Sequence, residues 1–392
     1  MANPQAASAA QASQASDVQK TAANDNPQTA NASGETLAQP EIQAPIYFLQ
    51  DLQSGQILLQ KEANKTVEPG SLVKLMSAYL VFQAIADGKL KAEQTLTPSK
   101  NAWSAEGARM FLQVGKAVSV QDLLRGMVVQ SANDATIALA EGVAGSESAF
   151  VAQMNAAAKR LGMKQTQFVN ATGKPVEGQI SSAQDMALLV AAMWRQYPKQ
   201  MEVFSEKTFK YHNIEQASGN LLLFRDTSVD GMMASHTLDG FHLISTSHRN
   251  GRKVLSIVLS AETAEQQTGE NSRLLNWALQ GFDTIAAYQA KEILSRVKVY
   301  AGQSKEVGVG VEEEVYLTVP HGELAQVKPV LETEQNVSAP IQAGQVLGKL
   351  KLMKNQQVLL EKNVVALRGV QEAGWLRRTW DSIYLWFSNL FA

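Results

Sequence analysis

The chain has 392 residues, of which 45% are hydrophobic, and it carries a formal net charge of −2 with no cysteine. This length accommodates two domains at about 100–200 residues each. The near-neutral charge argues against nucleic acid as a partner, because nucleic-acid-binding domains usually present a basic face. The absence of cysteine excludes disulfides, zinc–cysteine sites and thiol nucleophiles.

Residues 1–44 predict a disordered tether. The segment is rich in Ala, Gln, Asn and Ser, so it offers too little apolar surface to offset the entropy lost on ordering. A polar helix is the alternative, and Pro27, Pro40 and Pro45 argue against it. The start of the segment lacks the basic and apolar regions of a signal peptide, so we expect any export signal to be absent from this sequence.

Residues 45–288 predict a mixed domain of the α/β (α+β) class, with an antiparallel sheet and a helical cluster. Strand-like runs flank "DLQSGQ" and the Asn250-Gly251 turn, and both patterns are typical of hairpins. Helical runs come between them, beginning with a long apolar helix that opens at Ser71. A last helix is predicted over "NSRLLNWALQGFDTIAAYQ". Strands at the two ends with helices in the middle indicate one mixed core.

Two further segments follow this domain. Residues 289–371 consist of short alternating apolar runs separated by Gly, Pro and charged turns, which predicts a small all-β domain. Residues 372–392 predict an amphipathic helix with three tryptophans on its apolar half and two arginines on its polar half. We expect Trp375–Ala392 to lie in the plane of a membrane surface. Packing of this helix on its own domain is the alternative.

Ser71 and Lys74 are the first candidates for chemistry. A serine hydroxyl is a poor nucleophile without a base, and a lysine three residues further along a helix lies on the same face. In a dry cleft that lysine loses its proton near neutral pH and can act as the base. The spacing alone is weak, because Ser295 and Lys298 repeat it in a probable strand.

Ser131 and Asn133, in "QSANDATIALA", supply a hydroxyl and an amide suited to relaying a proton and orienting a peptide. This pattern is also weak alone, because Ser218 and Asn220 repeat it. The order of the two motifs along the chain makes the combination more specific than either one.

At this point the sequence resembles the D-alanyl-D-alanine carboxypeptidases, the low-molecular-weight penicillin-binding proteins of the bacterial periplasm. The resemblance runs from about residue 46 to the C-terminus. It is carried by three stretches: "EPGSLVKLMSAYLVFQAIADGKL", "NAWSAEGARMFLQVGKAVSVQDLLRGMVVQSANDATIALAEGVAGS" and "SSAQDMALL". It implies a penicillin-binding or β-lactamase-like transpeptidase fold, followed by a β domain and a membrane-anchoring helix.

The resemblance also implies the roles of the site residues. Ser71 would be acylated with release of the terminal D-alanine, and Lys74 would be its base. Ser131 would relay the proton to the leaving amine, and Asn133 would orient the substrate. The backbone N–H groups of Ser71 and His236 would form the oxyanion hole, and no metal or cofactor is called for. The implied partners are peptidoglycan pentapeptides and, weakly, β-lactam antibiotics.

The third motif of the family departs from its pattern. Between "VDG" and His236-Thr237, where the family has Lys-Thr-Gly, this chain has Met233, Ala234 and Ser235. We assign all of these residues to the substrate-binding wall. Met233 and Ala234 replace groups that would hold the substrate's carboxylate, and the Ser235 side chain stands where the family has none. A second departure is "NATGKPVEG", which stands where the family often has His-Gly-Leu after its asparagine.

The leading interpretation is therefore a serine carboxypeptidase of the periplasm, on the outer face of the inner membrane, with lowered activity. The alternative is a catalytically impaired homologue that binds peptidoglycan or partner proteins. A β-lactamase is disfavoured, because no clear deacylation loop surrounds Glu177. Three evenly spaced histidines, His236, His242 and His248, lack the pattern of a zinc site.

Overall fold

The structure is a computed structural model, and it describes residues 38–335 and 337–374. The predicted helix beyond Gly374 and most of the predicted tether lie outside the described residues. No helix in the described part of the chain is long and apolar enough to cross a membrane.

The first domain is built on an antiparallel sheet of five strands in the order β2-β1-β9-β8-β7. The long hairpin of this sheet turns at Asn250-Gly251, as the sequence predicts, and β7 is an edge strand. The strands are β1 (Ile46–Asp51), β2 (Ile57–Lys61), β7 (Val229–Thr237), β8 (Gly240–Arg249) and β9 (Arg252–Ala261), and two short hairpins lie outside the sheet, formed by β3 (Thr95–Leu96) with β4 (Val118–Ser119) and by β5 (Thr208–Tyr211) with β6 (Ile214–Ala217).

Helices cover both faces of this sheet. One face carries the main helical cluster, whose apolar core includes Phe48, Phe82 and Phe150, and the other face is covered by the last helix, α8. The helices are α1 (Lys74–Ala86), α2 (Lys100–Trp103), α3 (Val120–Val129), α4 (Asn133–Ala144), α5 (Glu147–Leu161), α6 (Ala183–Gln196), α7 (Leu222–Arg225) and α8 (Ala264–Gly281), with 3₁₀ turns at Gly70–Val73, Gln200–Ser205 and Leu324–Gln326.

The N-terminal boundary of the ordered domain lies before residue 45. Ala44 is buried, and Glu270 on α8 accepts hydrogen bonds from the backbone N–H groups of Gln43 and Ala44, both at 3.0 Å. The indole of Trp277 donates to the carbonyl of Ala38 at 2.7 Å. Residues 38–44, which the sequence assigns to the tether, are therefore in contact with the domain.

The second domain is all β, as predicted, with its own core of valines and leucines. Its main sheet has the order β14-β16-β17-β12-β11-β15, and β10 pairs with β13 alone. The strands are β10 (Phe282–Tyr288), β11 (Ser295–Tyr300), β12 (Glu306–Gly310), β13 (Val315–Pro320), β14 (Lys328–Thr333), β15 (Val337–Ser338), β16 (Val346–Lys354) and β17 (Gln357–Ala366).

One predicted helix is partly a strand in the structure. The helix expected over the whole of "NSRLLNWALQGFDTIAAYQ" ends at Gly281, and Phe282–Tyr288 is strand β10. Ile285 and Tyr288 pack against the core of the second domain, so β10 belongs to that domain and not to the first, where the sequence placed it. Pairing with β13, which lies further along the chain, decides the conformation of this segment.

Candidate active site

The turn that leads into α1 places Ser71 in a cleft, and the first residue of α1, Lys74, is buried. Ser71 lies in the 3₁₀ turn Gly70–Val73 that leads directly into α1. Residues three apart are stacked on one face of such a turn, so the two side chains share a side of the element. Ser71 is partly exposed and lines the cleft, whose volume is about 360 Å³, whereas Lys74 is 1% exposed.

Lys74 is held by a neighbouring loop, and no carboxylate pairs with it in the part of the chain that the structure describes. Its Nζ donates to the carbonyl oxygen of Thr172 at 2.5 Å, and one turn further along α1 the hydroxyl of Ser77 donates to the carbonyl of Ala171 at 2.8 Å. Burial disfavours the charged ammonium and lowers the pKa of Lys74 to about 7. The amine is therefore partly neutral near pH 7, as a general base requires.

The loop that receives Lys74 is shaped by Asn170 and Gly173. The Asn170 carboxamide oxygen accepts from the backbone N–H groups of Thr172 at 3.2 Å and of Gly173 at 2.7 Å. Gly173 has a φ of +84°, and a Cβ there would lie 1.9 Å from the carbonyl oxygen of Gly70. Only glycine fits at this crossing of the loop with the turn that carries Ser71.

Asn133 forms the opposite side of the cleft, whereas Ser131, between α3 and α4, is not among the described residues that line it. Asn133 is the first residue of α4, lines the cleft and donates from Nδ2 to the carbonyl of Glu106 at 2.7 Å. Ser131 has a φ of +55°, and its buried Oγ has no hydrogen-bond partner among the described residues. Asp134, buried beside them, accepts from the N–H groups of Met110 and Leu112, each at 3.0 Å, and so fixes the loop that contains Glu106.

Strand β7 forms the third wall, and the side chains of Met233, Ala234 and Ser235 alternate between its two faces. Met233 is 3% exposed and belongs to the core of the helical cluster, while Ala234 packs on the other face of the sheet with the core next to α8. Neither residue lines the cleft, so the structure does not bring these two predicted substrate contacts to the site. His236 and Thr237 do line it.

Ser235, on the same face as Met233, reaches the nucleophile's turn directly. The backbone N–H of Ser71 donates to the Ser235 hydroxyl at 2.9 Å. Ser235 is 8% exposed. The sequence shows a side chain at this position where the family has none, but nothing in it indicates which atom of the cleft the hydroxyl contacts.

His242 lies next to this wall and is held by hydrogen bonds inside the protein. His242 is fully buried; its Nδ1 accepts from the N–H of Ser260 at 3.0 Å, and its Nε2 lies 2.9 Å from the hydroxyl of Thr237. Desolvation lowers the pKa of His242 to about 4, so the ring is neutral at pH 7. Its tautomer is fixed by these two contacts, with the proton on Nε2.

Lys174 is a functional candidate that sequence reasoning missed. It is the one lysine or arginine among the described residues that line the cleft, and its Nζ pairs with a Glu106 carboxylate oxygen at 2.5 Å across the mouth. Both side chains are well exposed. The sequence feature that could have identified it is "NATGKPVEG", where a lysine follows the loop glycine.

Four basic residues stand near β7 in the sequence, and three of them form ion pairs outside the cleft. Arg252 binds the buried Asp51, and Lys253 pairs with Asp230. Arg249 pairs with Asp226 at 3.5 Å, and Arg225 lies beside it in a separate depression. None of these four residues lines the cleft that contains Ser71.

Known proteins share the sequence pattern and the fold of this chain. The sequence profile of the peptidase S11 family, D-alanyl-D-alanine carboxypeptidase, matches residues 33–263, and that of the C-terminal domain of penicillin-binding protein 5 matches residues 282–372. D-alanyl-D-alanine carboxypeptidase DacC of Escherichia coli is 33% identical over 377 residues, which cover 93% of this chain and 94% of the relative.

Solved structures share the fold of this chain over different lengths. Penicillin-binding protein 5 from Haemophilus influenzae superposes with a TM-score of 0.82 at 33% identity, covering 86% of this chain and 99% of that one. Penicillin-binding protein D2 from Listeria monocytogenes, in its ampicillin-bound form, gives a TM-score of 0.55 at 30% identity, covering 61% of this chain and 98% of that one.

Proposed function

The chain belongs to the D-alanyl-D-alanine carboxypeptidase family, the S11 serine peptidases, and from that premise we propose that it releases the terminal D-alanine of peptidoglycan pentapeptides through an acyl-enzyme on Ser71. The observation that carries the proposal is a partly exposed serine in the turn before α1, three residues ahead of a buried lysine, Lys74, whose pKa is about 7.

The proposed steps assign to these groups the roles that the family resemblance implies. The neutral amine of Lys74 takes the Ser71 proton as Oγ adds to the carbonyl carbon of the scissile peptide bond. The resulting oxyanion is stabilised by the backbone N–H groups of Ser71 and His236. The C–N bond then breaks, and the leaving D-alanine nitrogen receives a proton through Ser131. Water hydrolyses the acyl ester, which restores the Ser71 hydroxyl and releases the shortened peptide.

We propose that this turnover is slow. Met233 and Ala234 supply no donor to the cleft, and the Ser131 hydroxyl has no partner among the described residues. Charge-assisted hydrogen bonds contribute about 1.5–3 kcal/mol each. The loss of two such bonds lowers kcat/KM by about 10²–10⁴.

The cellular setting is part of the same proposal. A peptidoglycan substrate places the protein in the periplasm, and the amphipathic segment Trp375–Ala392 would hold it on the outer face of the inner membrane. β-Lactams mimic the scissile peptide and would acylate Ser71. The relative from Listeria monocytogenes, solved with ampicillin bound, supports this expectation.

The test is D-alanine release from a soluble pentapeptide together with labelling by a fluorescent penicillin. The chain is compared with Ser71→Ala and with a triple variant, Met233→Lys/Ala234→Thr/Ser235→Gly, that restores the third motif. We expect slow labelling and slow release that both disappear in Ser71→Ala, and release about 10²–10⁴ faster in the triple variant.

Labelling without any D-alanine release would favour the alternative, an impaired homologue that binds peptidoglycan or partner proteins. No labelling of the unmodified chain at long times, with the triple variant active, would establish that the natural cleft is not an acylating site. Labelling that persists in Ser71→Ala would show that the nucleophile is misassigned.

A further inference from the structure

The contact between Ser235 and Ser71 joins the third motif to the nucleophile's own backbone. The N–H of Ser71 donates to Ser235 Oγ at 2.9 Å, and the serine that accepts this bond is buried. The two residues are far apart in sequence, so the contact depends on the packing of β7 against the turn before α1. That packing is extensive in this fold.

The turn before α1 approaches the Ser235 hydroxyl so closely that its residue 70 must be glycine. Gly70 has a φ of +52°, and a Cβ there would lie 2.3 Å from Ser235 Oγ and 2.6 Å from Thr237 Cγ2. The hydroxyl is therefore seated against the turn, between its backbone and strand β7. A glycine at position 235 would leave this space and the Ser71 N–H open to the cleft.

The bonded N–H is the group on which the acylation step depends. Under the proposed function, it is one of two backbone donors that stabilise the developing oxyanion. An N–H has one proton, so it cannot donate in full strength to the Ser235 hydroxyl and to an oxyanion at the same time. The substrate must displace the hydroxyl before this donor becomes available.

We propose that the Ser235 hydroxyl occupies the Ser71 oxyanion donor and thereby limits the rate of acylation. This inference rests on the proposed function and deepens it, since it assigns part of the slow turnover to one atom and separates that part from the loss of the carboxylate-binding groups. Ser235 then limits the rate of acylation through its own hydroxyl, in addition to the effect of the missing Lys-Thr-Gly side chains.

The experiment removes the hydroxyl in two ways and follows two readouts. Ser235→Ala deletes the acceptor but keeps the Cβ, and Ser235→Gly also clears the space. Ser256→Ala is the matched control, because Ser256 is buried in β9 of the same sheet and its Oγ has no partner among the described residues. The readouts are the rate of labelling by a fluorescent penicillin and hydrogen exchange of the Ser71 amide, observed by NMR with ¹⁵N-serine.

Loss of an oxyanion donor costs about 10²–10³ in rate, and displacing a neutral hydroxyl from it costs less. We therefore expect both Ser235 variants to label between about 3-fold and about 100-fold faster than the unmodified chain. The Ser71 amide should exchange faster in both variants, and the control should change neither readout.

The outcomes separate the inference from the function beneath it. Labelling of the Ser235 variants at the unmodified rate would overturn the inference and leave the proposed function standing. Slower labelling would also overturn it, and would show that the Ser235 O–H itself donates to the oxyanion. If none of the chains is labelled, the proposed function fails and the rate-limiting role fails with it, while amide exchange still reports whether the contact exists.

Discussion

At the scale of single residues, the most informative group is Lys74, because none of the described residues offers its ammonium a carboxylate partner. Its Nζ bonds to a backbone carbonyl, and burial lowers its pKa to about 7. A base works when it is unprotonated, so acylation should be fast above pH 7 and should fall about tenfold per pH unit below it.

The measurement is the rate of penicillin labelling across the pH range on both sides of neutrality. Lys74→Arg is the control, since a guanidinium stays protonated and should abolish labelling at every pH. A rate that instead rises only near the pKa of an ordinary lysine, about 10.4, would show that burial does not tune this amine.

Lys174 is the residue best placed to bind a substrate carboxylate. It lines the cleft with Ser71 and is restrained by Glu106 across the mouth. Replacing Lys174 with Met should lower kcat/KM for a peptide ending in a free carboxylate by about 10–100-fold, the value of one charge-assisted bond. Hydrolysis of the same peptide with an amidated C-terminus should change little.

The matched control is Lys164→Met, an exposed lysine outside the cleft lining. Glu106→Gln should act in the opposite direction to Lys174→Met, because it frees the ammonium for the substrate. Equal losses on the acid and the amide peptides would contradict carboxylate binding and would indicate a structural role for Lys174.

At the scale of elements, one buried arginine ties the two domains together. Arg252, at the start of β9, bonds to the carboxylate of Asp51 at 3.1 Å and to the hydroxyl of Thr284 on β10 at 2.9 Å. Its guanidinium also donates to the carbonyls of Ala278 and Phe282, at the end of α8 and the start of β10. The junction is thus a single network built around a fully buried Asp51.

Arg252→Met should destabilise the protein by about 3–5 kcal/mol, because it leaves the Asp51 charge buried without its partner. Urea unfolding measures the change. Arg296→Met, at an exposed position of β11, should stay within about 0.5 kcal/mol of the unmodified chain. A similarly small effect of Arg252→Met would mean that the junction does not depend on this network.

Elements with strong local signals could be predicted from the sequence, and those fixed by distant partners could not. Asn250-Gly251 specifies its own hairpin turn, a long apolar run specifies α1, and apolar periodicity specifies α6. Phe282–Tyr288 carries a pattern compatible with helix or strand, and its pairing with β13 decides the outcome.

The same distinction applies to the site. The spacing of Ser71 and Lys74 and the order of the motifs are local, and the structure brings Ser71 and Asn133 to one cleft with His236. The sequence assigns Met233 and Ala234 to its wall, but alternation along β7 turns Ala234 to the face next to α8, and Met233 packs in the core of the helical cluster. The bond from Ser71 to Ser235 and the position of Lys174 follow from how loops cross, which no local pattern encodes.

At the scale of the whole molecule, the remaining proposal concerns where the enzyme works. The family profiles account for residues up to 372, and the sequence after that point, "GWLRRTWDSIYLWFSNLFA", is amphipathic and aromatic. Such a helix lies in the membrane interface with its apolar face among the acyl chains and its arginines near anionic headgroups. If this segment binds the membrane surface, the domain that contains the cleft lies outside the bilayer, next to the cell wall.

Deleting residues 374–392 should therefore abolish co-sedimentation of the protein with vesicles that contain anionic lipid, while penicillin labelling in solution stays unchanged.

Replacing Trp380 and Trp386 together with Ser should weaken binding and keep the length of the chain, because aromatic residues supply much of the interfacial affinity. Arg377→Gln with Arg378→Gln should weaken binding to anionic vesicles more than to neutral ones, since each cation near an anionic surface contributes about 1 kcal/mol. Retention of full vesicle binding by the deleted chain would contradict anchoring by this segment and would point to a surface on the described domains.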